Sequence, residues 1–220
     1  IFSFMTFFVA VPTAVKVFNW TATLYRGSIT FEAPMLYALT FIFLFIVGGL
    51  TGPFLGALAT NVQLHDTYFV VAHFHYTMMG GTVMGFFAGL HYWFPKMTGK
   101  MLNEKVARVA WALIFVGFNV TFFTMFIVGV RGMPRRYAEY LPKFQVENVI
   151  STIGSAVLAL GILVMCWNFL QGFRKGAKAP SNPWRALSLE WKTASPPDVE
   201  NFHEIPQVTD WPYGYGTTKA

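Results

Sequence analysis

Apolar residues run along this chain in five stretches, separated by short polar connections. A helix needs about 20 mainly apolar residues to cross a bilayer. The first stretch covers about 1–24, and Lys16 is its only charge. The second, about 35–58, lies inside a segment, 33–64, that holds no Asp, Glu, Lys or Arg. That segment is longer than one span needs, so its end reads as a loop on the outer side. The third span is about 67–94, the fourth about 109–130 and the fifth about 149–173. Backbone amides go unpaired in lipid unless they close their own hydrogen bonds. The runs are too long for barrel strands and do not alternate strictly. The pattern therefore predicts an all-α, polytopic transmembrane helix bundle.

Residues 1–178 form the transmembrane part in this reading. After Phe173 the chain turns basic (Arg174, Lys175, Lys178), and a polar, Pro-rich tail follows over 179–220. The tail is expected to lie extended on the surface, held by Trp184, Trp191 and Trp211. Charge sets the orientation. One side carries Arg26, Lys96, Lys100, Lys105, Arg108, Arg174, Lys175 and Lys178; the other carries Arg131, Arg135, Arg136 and Lys143. The positive-inside rule makes the first side, and the tail, cytoplasmic or matrix. His65-Asp66 and Pro134-Arg135-Arg136 then share the outer face.

Composition agrees with lipid as the solvent. Only 12% of residues are charged and mean hydropathy is +0.47, against about 25% charged in soluble domains. The net charge of +6 does not point to nucleic acid, because the basic residues sit at the ends of apolar runs. Cys166 is the single cysteine, which leaves no internal disulfide and no paired-thiol metal site. The chain opens on Ile1-Phe2-Ser3-Phe4 with no signal-peptide pattern. It is expected to start inside a span, as a piece of a longer polypeptide or as one half of a split subunit.

Two imidazoles, His73 and His75, sit inside the third span. Ionisable groups at membrane depth are costly and usually functional. Positions i and i+2 lie about 200° apart on a helix, so the rings leave on opposite sides. They suit two metal centres, one on each side, or two hydrogen-bonded interior histidines. Arg135 and Arg136, stiffened by Pro134, could hold haem propionates or brace a loop. His65 with Asp66 could bind a divalent ion, while Asp66 and Thr67 also read as a helix start. Lys16, with Thr13 three residues before it on the same face, either snorkels to the interface or lines a proton route. His91 and His203 read as structural.

The run His65-Asp66-Thr67-Tyr68-Phe69-Val70-Val71-Ala72-His73-Phe74-His75-Tyr76 resembles the signature of the haem–copper oxidases' large catalytic subunit, subunit I of cytochrome c oxidase. Pro12–Phe18, Phe41–Gly52, Gly132–Tyr137 and the tail segments Asn182-Pro183-Trp184, Leu189-Glu190-Trp191 and Ser195-Pro196-Pro197 extend the resemblance over almost the whole chain. It implies the last five of twelve helices of a respiratory enzyme that passes electrons from cytochrome c to oxygen and translocates protons. His73 would bind the high-spin haem iron and His75 the low-spin haem iron, with Phe74 between the haems. His65 and Asp66 would bind Mg²⁺, Arg135 and Arg136 the propionates, and Thr13 and Lys16 would belong to a proton channel. Two haems, of haem A type, and copper are the implied cofactors. The copper ligands would lie in the N-terminal part of subunit I. Subunit II with its own copper site, subunit III, accessory subunits, cytochrome c and the lipid of a bacterial cytoplasmic or mitochondrial inner membrane are the implied partners. The family often carries Asp where this chain has Asn61. A quinol oxidase of the same superfamily and a non-catalytic membrane scaffold are the alternatives; haem content separates the scaffold.

Overall fold

The computed structural model describes residues 1–208; Trp211, expected to help hold the tail, lies outside them. Seven α-helices follow in order: α1 (Phe2–Leu24), α2 (Ala33–Gly56), α3 (Leu58–Leu64), α4 (Tyr68–Thr77), α5 (Met84–Thr98), α6 (Glu104–Val130) and α7 (Gln145–Lys175). No sheet is formed among the described residues, only two isolated backbone bridges. Four helices, α1, α2, α6 and the one ending at Lys175, are each long and apolar enough to cross a membrane. The fold is a helical membrane bundle.

Two elements depart from the sequence pattern. The surplus after α2 is not a loop: it forms the short helix α3. The chain there is free of charge and holds no proline or glycine, so nothing in it breaks a helix after the bend at Ala57. The third apolar stretch is a helix in three parts, α4, a π-helical turn over Met78–Val83, and α5. It continues past the expected end at about 94 to Thr98, where Gly99 takes a left-handed conformation (φ 69°). Thr67 caps α4, its hydroxyl accepting from the Phe69 amide at 3.3 Å; Asp66, the other candidate for that start, precedes the cap.

The core is built where α2, α4, α5, α6 and α7 meet, around Tyr37, Leu44, Phe69, Tyr76, Ile114, Phe118 and Leu158. α1 packs mainly on α2 and buries none of its residues. Most polar groups inside are paired, as lipid demands, while the buried His91 Nε2 and Trp191 Nε1 have no hydrogen-bond partner among the described residues. Tyr76 donates to Asn119 Oδ1 at 2.9 Å and Trp111 donates to Thr40 at 2.8 Å. Asn103 and Asn168 bond each other across α6 and α7.

The bundle has two distinct ends. At one, the start of α2 meets the start of α6 through Ala33 N–H and Glu104. There the tail folds back on the α5–α6 turn, with Met101 N–H donating to Ala177 and Ala179 N–H to Gly99. Trp184 donates to the Tyr92 carbonyl and Trp191 is buried. At the other end, the segment after α3 meets the segment after α6.

Candidate functional site

α4 positions the two histidines because its neighbours approach it from both sides. His73 faces α2. Its Nδ1 lies 3.0 Å from the Gly48 carbonyl and 2.9 Å from Thr51 Oγ1. His75 faces α6, where its ring stacks on Phe122 at 4.1 Å and 17°. Its Nδ1 donates to the Val71 carbonyl at 2.8 Å. Phe74 lies beside the His75 ring, with centroids 4.5 Å apart. The rings thus diverge, one toward each flanking helix.

The hydrogen bonds fix the tautomers. A backbone carbonyl only accepts, so each Nδ1 carries the proton and each Nε2 keeps its lone pair. Neither Nε2 has a hydrogen-bond partner among the described residues. Both rings are half-buried. A neutral imidazole, anchored at Nδ1 and open at Nε2, is the form that ligates a metal. The interior-histidine reading accounts for one nitrogen of each ring and leaves the other without a partner.

The segment before α4 and the segment after α6 join above these rings. Tyr68 N–H donates to the Met133 carbonyl and Arg135 N–H to the Asp66 carbonyl, so 66–68 and 133–135 run antiparallel. The guanidinium of Arg135 sends both Nε (2.8 Å) and Nη2 (2.7 Å) to Asp66 Oδ1. The other oxygen, Oδ2, lies 3.5 Å from His65 Nε2. The Arg135 hydrogen bond, then the charges of Arg135, His65 and Arg136, hold the Asp66 carboxyl below its usual range. Asp66 (φ 55°) and Arg136 (φ 68°) both adopt left-handed backbone, which non-glycine residues rarely do and which gathers at functional sites. Arg136 is exposed and makes no ion pair among the described residues. His65 and Asp66 could give two metal ligands; no group of three His, Cys, Asp or Glu comes together among the described residues. Two ligands suffice for Mg²⁺, which keeps several waters.

Thr13 and Lys16 stand apart on α1. Thr13 donates to its own helix at the Val9 carbonyl, 2.9 Å. Lys16 is exposed, its ammonium 5.9 Å from the Trp20 ring centre. The described residues do not join this pair to the α4 histidines. His91 is buried between Tyr37 and Phe169, and His203 is exposed beside Asp198. Cys166 is exposed on α7.

Three residues that sequence reasoning did not single out complete the setting: Gly48 and Thr51 at His73, and Phe122 at His75. The run Gly48-Gly49-Leu50-Thr51-Gly52 carries a signal, since small residues in a span mark close helix contact. Which ring they would meet depends on packing.

Residues 1–157 match the family model described as "Cytochrome C and Quinol oxidase polypeptide I". The chain is 47% identical over 215 residues to cytochrome c oxidase subunit 1 of Thermostichus vulcanus, covering 98% of this chain and 39% of that protein. The same subunit of Synechocystis sp. is 47% identical, covering 96% and 38%. That of Bacillus sp. PS3 is also 47% identical, covering 94% and 34%. The chain therefore spans about two fifths or less of these relatives' length. Among solved structures, a heme-copper terminal oxidase dimer shares the fold with a TM-score of 0.71 at 22% identity, over 80% of this chain and 36% of that one.

Proposed function

Because the chain belongs to the cytochrome c and quinol oxidase polypeptide I family, we propose that it is the haem-holding C-terminal part of the catalytic subunit of a proton-translocating terminal oxidase. The observation that carries this reading is the pair of diverging imidazoles, each fixed at Nδ1 by a carbonyl and open at Nε2. His73 holds the high-spin haem iron and His75 the low-spin haem iron. Phe74 fills the space between the two haems. When bound, haem A and copper supply the electron relay and the reduction of oxygen to water. The copper ligands come from the part of the relatives that this chain does not span.

The remaining residues serve charge and protons. Arg136, and Arg135 through the nitrogen that Asp66 does not occupy, neutralise the propionates. His65 and Asp66 give Mg²⁺ two ligands at the same face. Thr13 and Lys16, on one face of α1, move protons from the basic end of the bundle. Cytochrome c is the electron donor in this reading, in line with the names of the relatives above. Subunit II with its copper site and subunit III complete the assembly in a bacterial cytoplasmic or mitochondrial inner membrane. The test is His75→Ala in the assembled oxidase. The low-spin haem band is lost and the high-spin band stays; normal bands for both haems would overturn the assignment.

A further inference from the structure

We infer that Thr51 is a positioning residue for His73: its hydroxyl is a second acceptor for the ring N–H and sets both the ring's plane and the basicity of Nε2. The inference rests on the reading of His73 as a haem ligand. Three atoms form a triangle between α2 and α4. Thr51 Oγ1 lies 2.7 Å from the Gly48 carbonyl oxygen, the His73 Nδ1 lies 3.0 Å from that oxygen, and Nδ1 lies 2.9 Å from Thr51 Oγ1.

Only one arrangement of protons satisfies all three contacts. The carbonyl of Gly48 can only accept. The Thr51 hydroxyl therefore donates to it, as its 2.7 Å distance requires. That leaves the lone pairs of Oγ1 facing Nδ1, which carries its own proton. The N–H is then shared between the carbonyl and the hydroxyl. A ring held by one acceptor can swing about it, whereas a ring held by two is fixed in plane. Donation to a partner also raises the basicity of the opposite nitrogen, so two acceptors make Nε2 a stronger donor than the Gly48 carbonyl does alone.

The close approach that builds the triangle is visible in the backbone. A Cβ on Gly48 would lie 2.8 Å from the Thr77 amide nitrogen. Only a bare backbone lets α2 come near enough for its carbonyl and hydroxyl to reach a ring on α4. His75 differs, since its Nδ1 takes a single acceptor within its own helix. The two ligands are thus anchored unequally, and the doubly held one faces the side assigned to oxygen.

The experiment uses the complete oxidase with Thr51→Val, which keeps shape and loses the hydroxyl, and Thr51→Ser, which keeps the hydroxyl. The readout is the iron–histidine stretching band of the reduced high-spin haem by resonance Raman. In Thr51→Val the band moves to lower frequency and broadens; in Thr51→Ser it returns. An unmoved band in Thr51→Val overturns the inference, and so does an equal shift in both variants, which would report packing rather than the hydroxyl. Should Thr51→Val not assemble, Thr51→Ala is read the same way against Thr51→Ser. His73→Ala is the separate control. Retention of the high-spin haem in it defeats the ligand assignment itself, whatever Thr51 does.

Discussion

Lys96→Met should lift one defined part of the C-terminal tail off the bundle. Lys96 is 8% exposed, at the end of α5. Its three ammonium protons face four acceptors: Thr193 O at 3.0 Å, Ala194 O at 3.1 Å, Ser181 O at 3.2 Å and Thr193 Oγ1 at 3.3 Å. The ammonium also lies 4.9 Å from the Trp191 ring centre. Hydrogen bonds to a charged group contribute about 1.5–3 kcal/mol each, and desolvating the ammonium costs several kcal/mol in return. The net stabilisation is about 3 kcal/mol. Methionine fills the space but leaves the Thr193 and Ala194 carbonyls unpaired, the Ser181 carbonyl keeping the Ser195 hydroxyl, and the two regain water only if the tail opens. At about 1.4 kcal/mol per decade, opening becomes roughly a hundredfold more frequent. Amide hydrogen exchange on the purified assembly reads this directly. Residues 181–196 should exchange about a hundredfold faster. The amides of Ala179 and Met101 should keep their protection, because they bond to Gly99 and Ala177 independently of Lys96. Exchange in 181–196 that rises less than threefold would refute the reasoning, and so would equal loss of protection at Ala179.

Two further outcomes test the bundle around the histidines. Asp66 has its pKa lowered in the folded chain, chiefly by the Arg135 hydrogen bond. Its stabilising contribution is therefore complete above the ordinary carboxylate value of about 3.9 and is lost as pH falls below it, through the folded pKa. Proteolysis of the 131–136 loop should stay slow at pH 5 and accelerate only below about pH 4, and Asp66→Asn should remove that acid step. Gly129→Ala would place a methyl 2.1 Å from the Phe69 amide nitrogen. It should push α6 from α4, destabilise by about 1–3 kcal/mol as overpacking does, and lower the melting temperature of the assembly together with the intensity of the low-spin haem band.

What could be read from the sequence was what depends on short range. Charge-free runs of membrane length announce helices, and a separation of two residues places His73 and His75 on opposite faces whatever the surroundings. The alternation of basic and apolar segments was enough to expect 65–66 and 134–136 at one end, where the structure joins them by backbone hydrogen bonds. The π-helical turn was not legible. Met78-Met79-Gly80-Gly81-Thr82-Val83 carries no proline or charge to mark it, and the widened turn arises where α2 crowds the helix: a Cβ at Gly80 would lie 2.8 Å from Leu44 Cβ. The Lys96 cage was equally hidden, since its acceptors lie 85 to 98 residues away and most are backbone carbonyls. Thr51 was hidden for a related reason. Its hydroxyl makes an ordinary bond within its own helix, and its significance lies in what the neighbouring helix brings beside it.

Placing two imidazoles on opposite faces of one helix has a mechanical consequence. A rotation of α4 about its axis moves both rings at once, in opposite directions. With side chains reaching about 5–6 Å from the axis, a 10° turn displaces each ring by about 1 Å, and misplacement of that size can cost a hundredfold in rate. Neither ring can be corrected without disturbing the other, so the helix has to be blocked from both sides. The structure shows a stop on each. On the α2 side, the bare backbone of Gly48 sits against Tyr76 and Thr77. On the α6 side, Gly129 sits against Phe69, and the Tyr76 hydroxyl is tied to Asn119. These contacts bracket the segment from Phe69 to Thr77, the part of the helix that carries the two histidines, and the π-helical turn begins at the next residue.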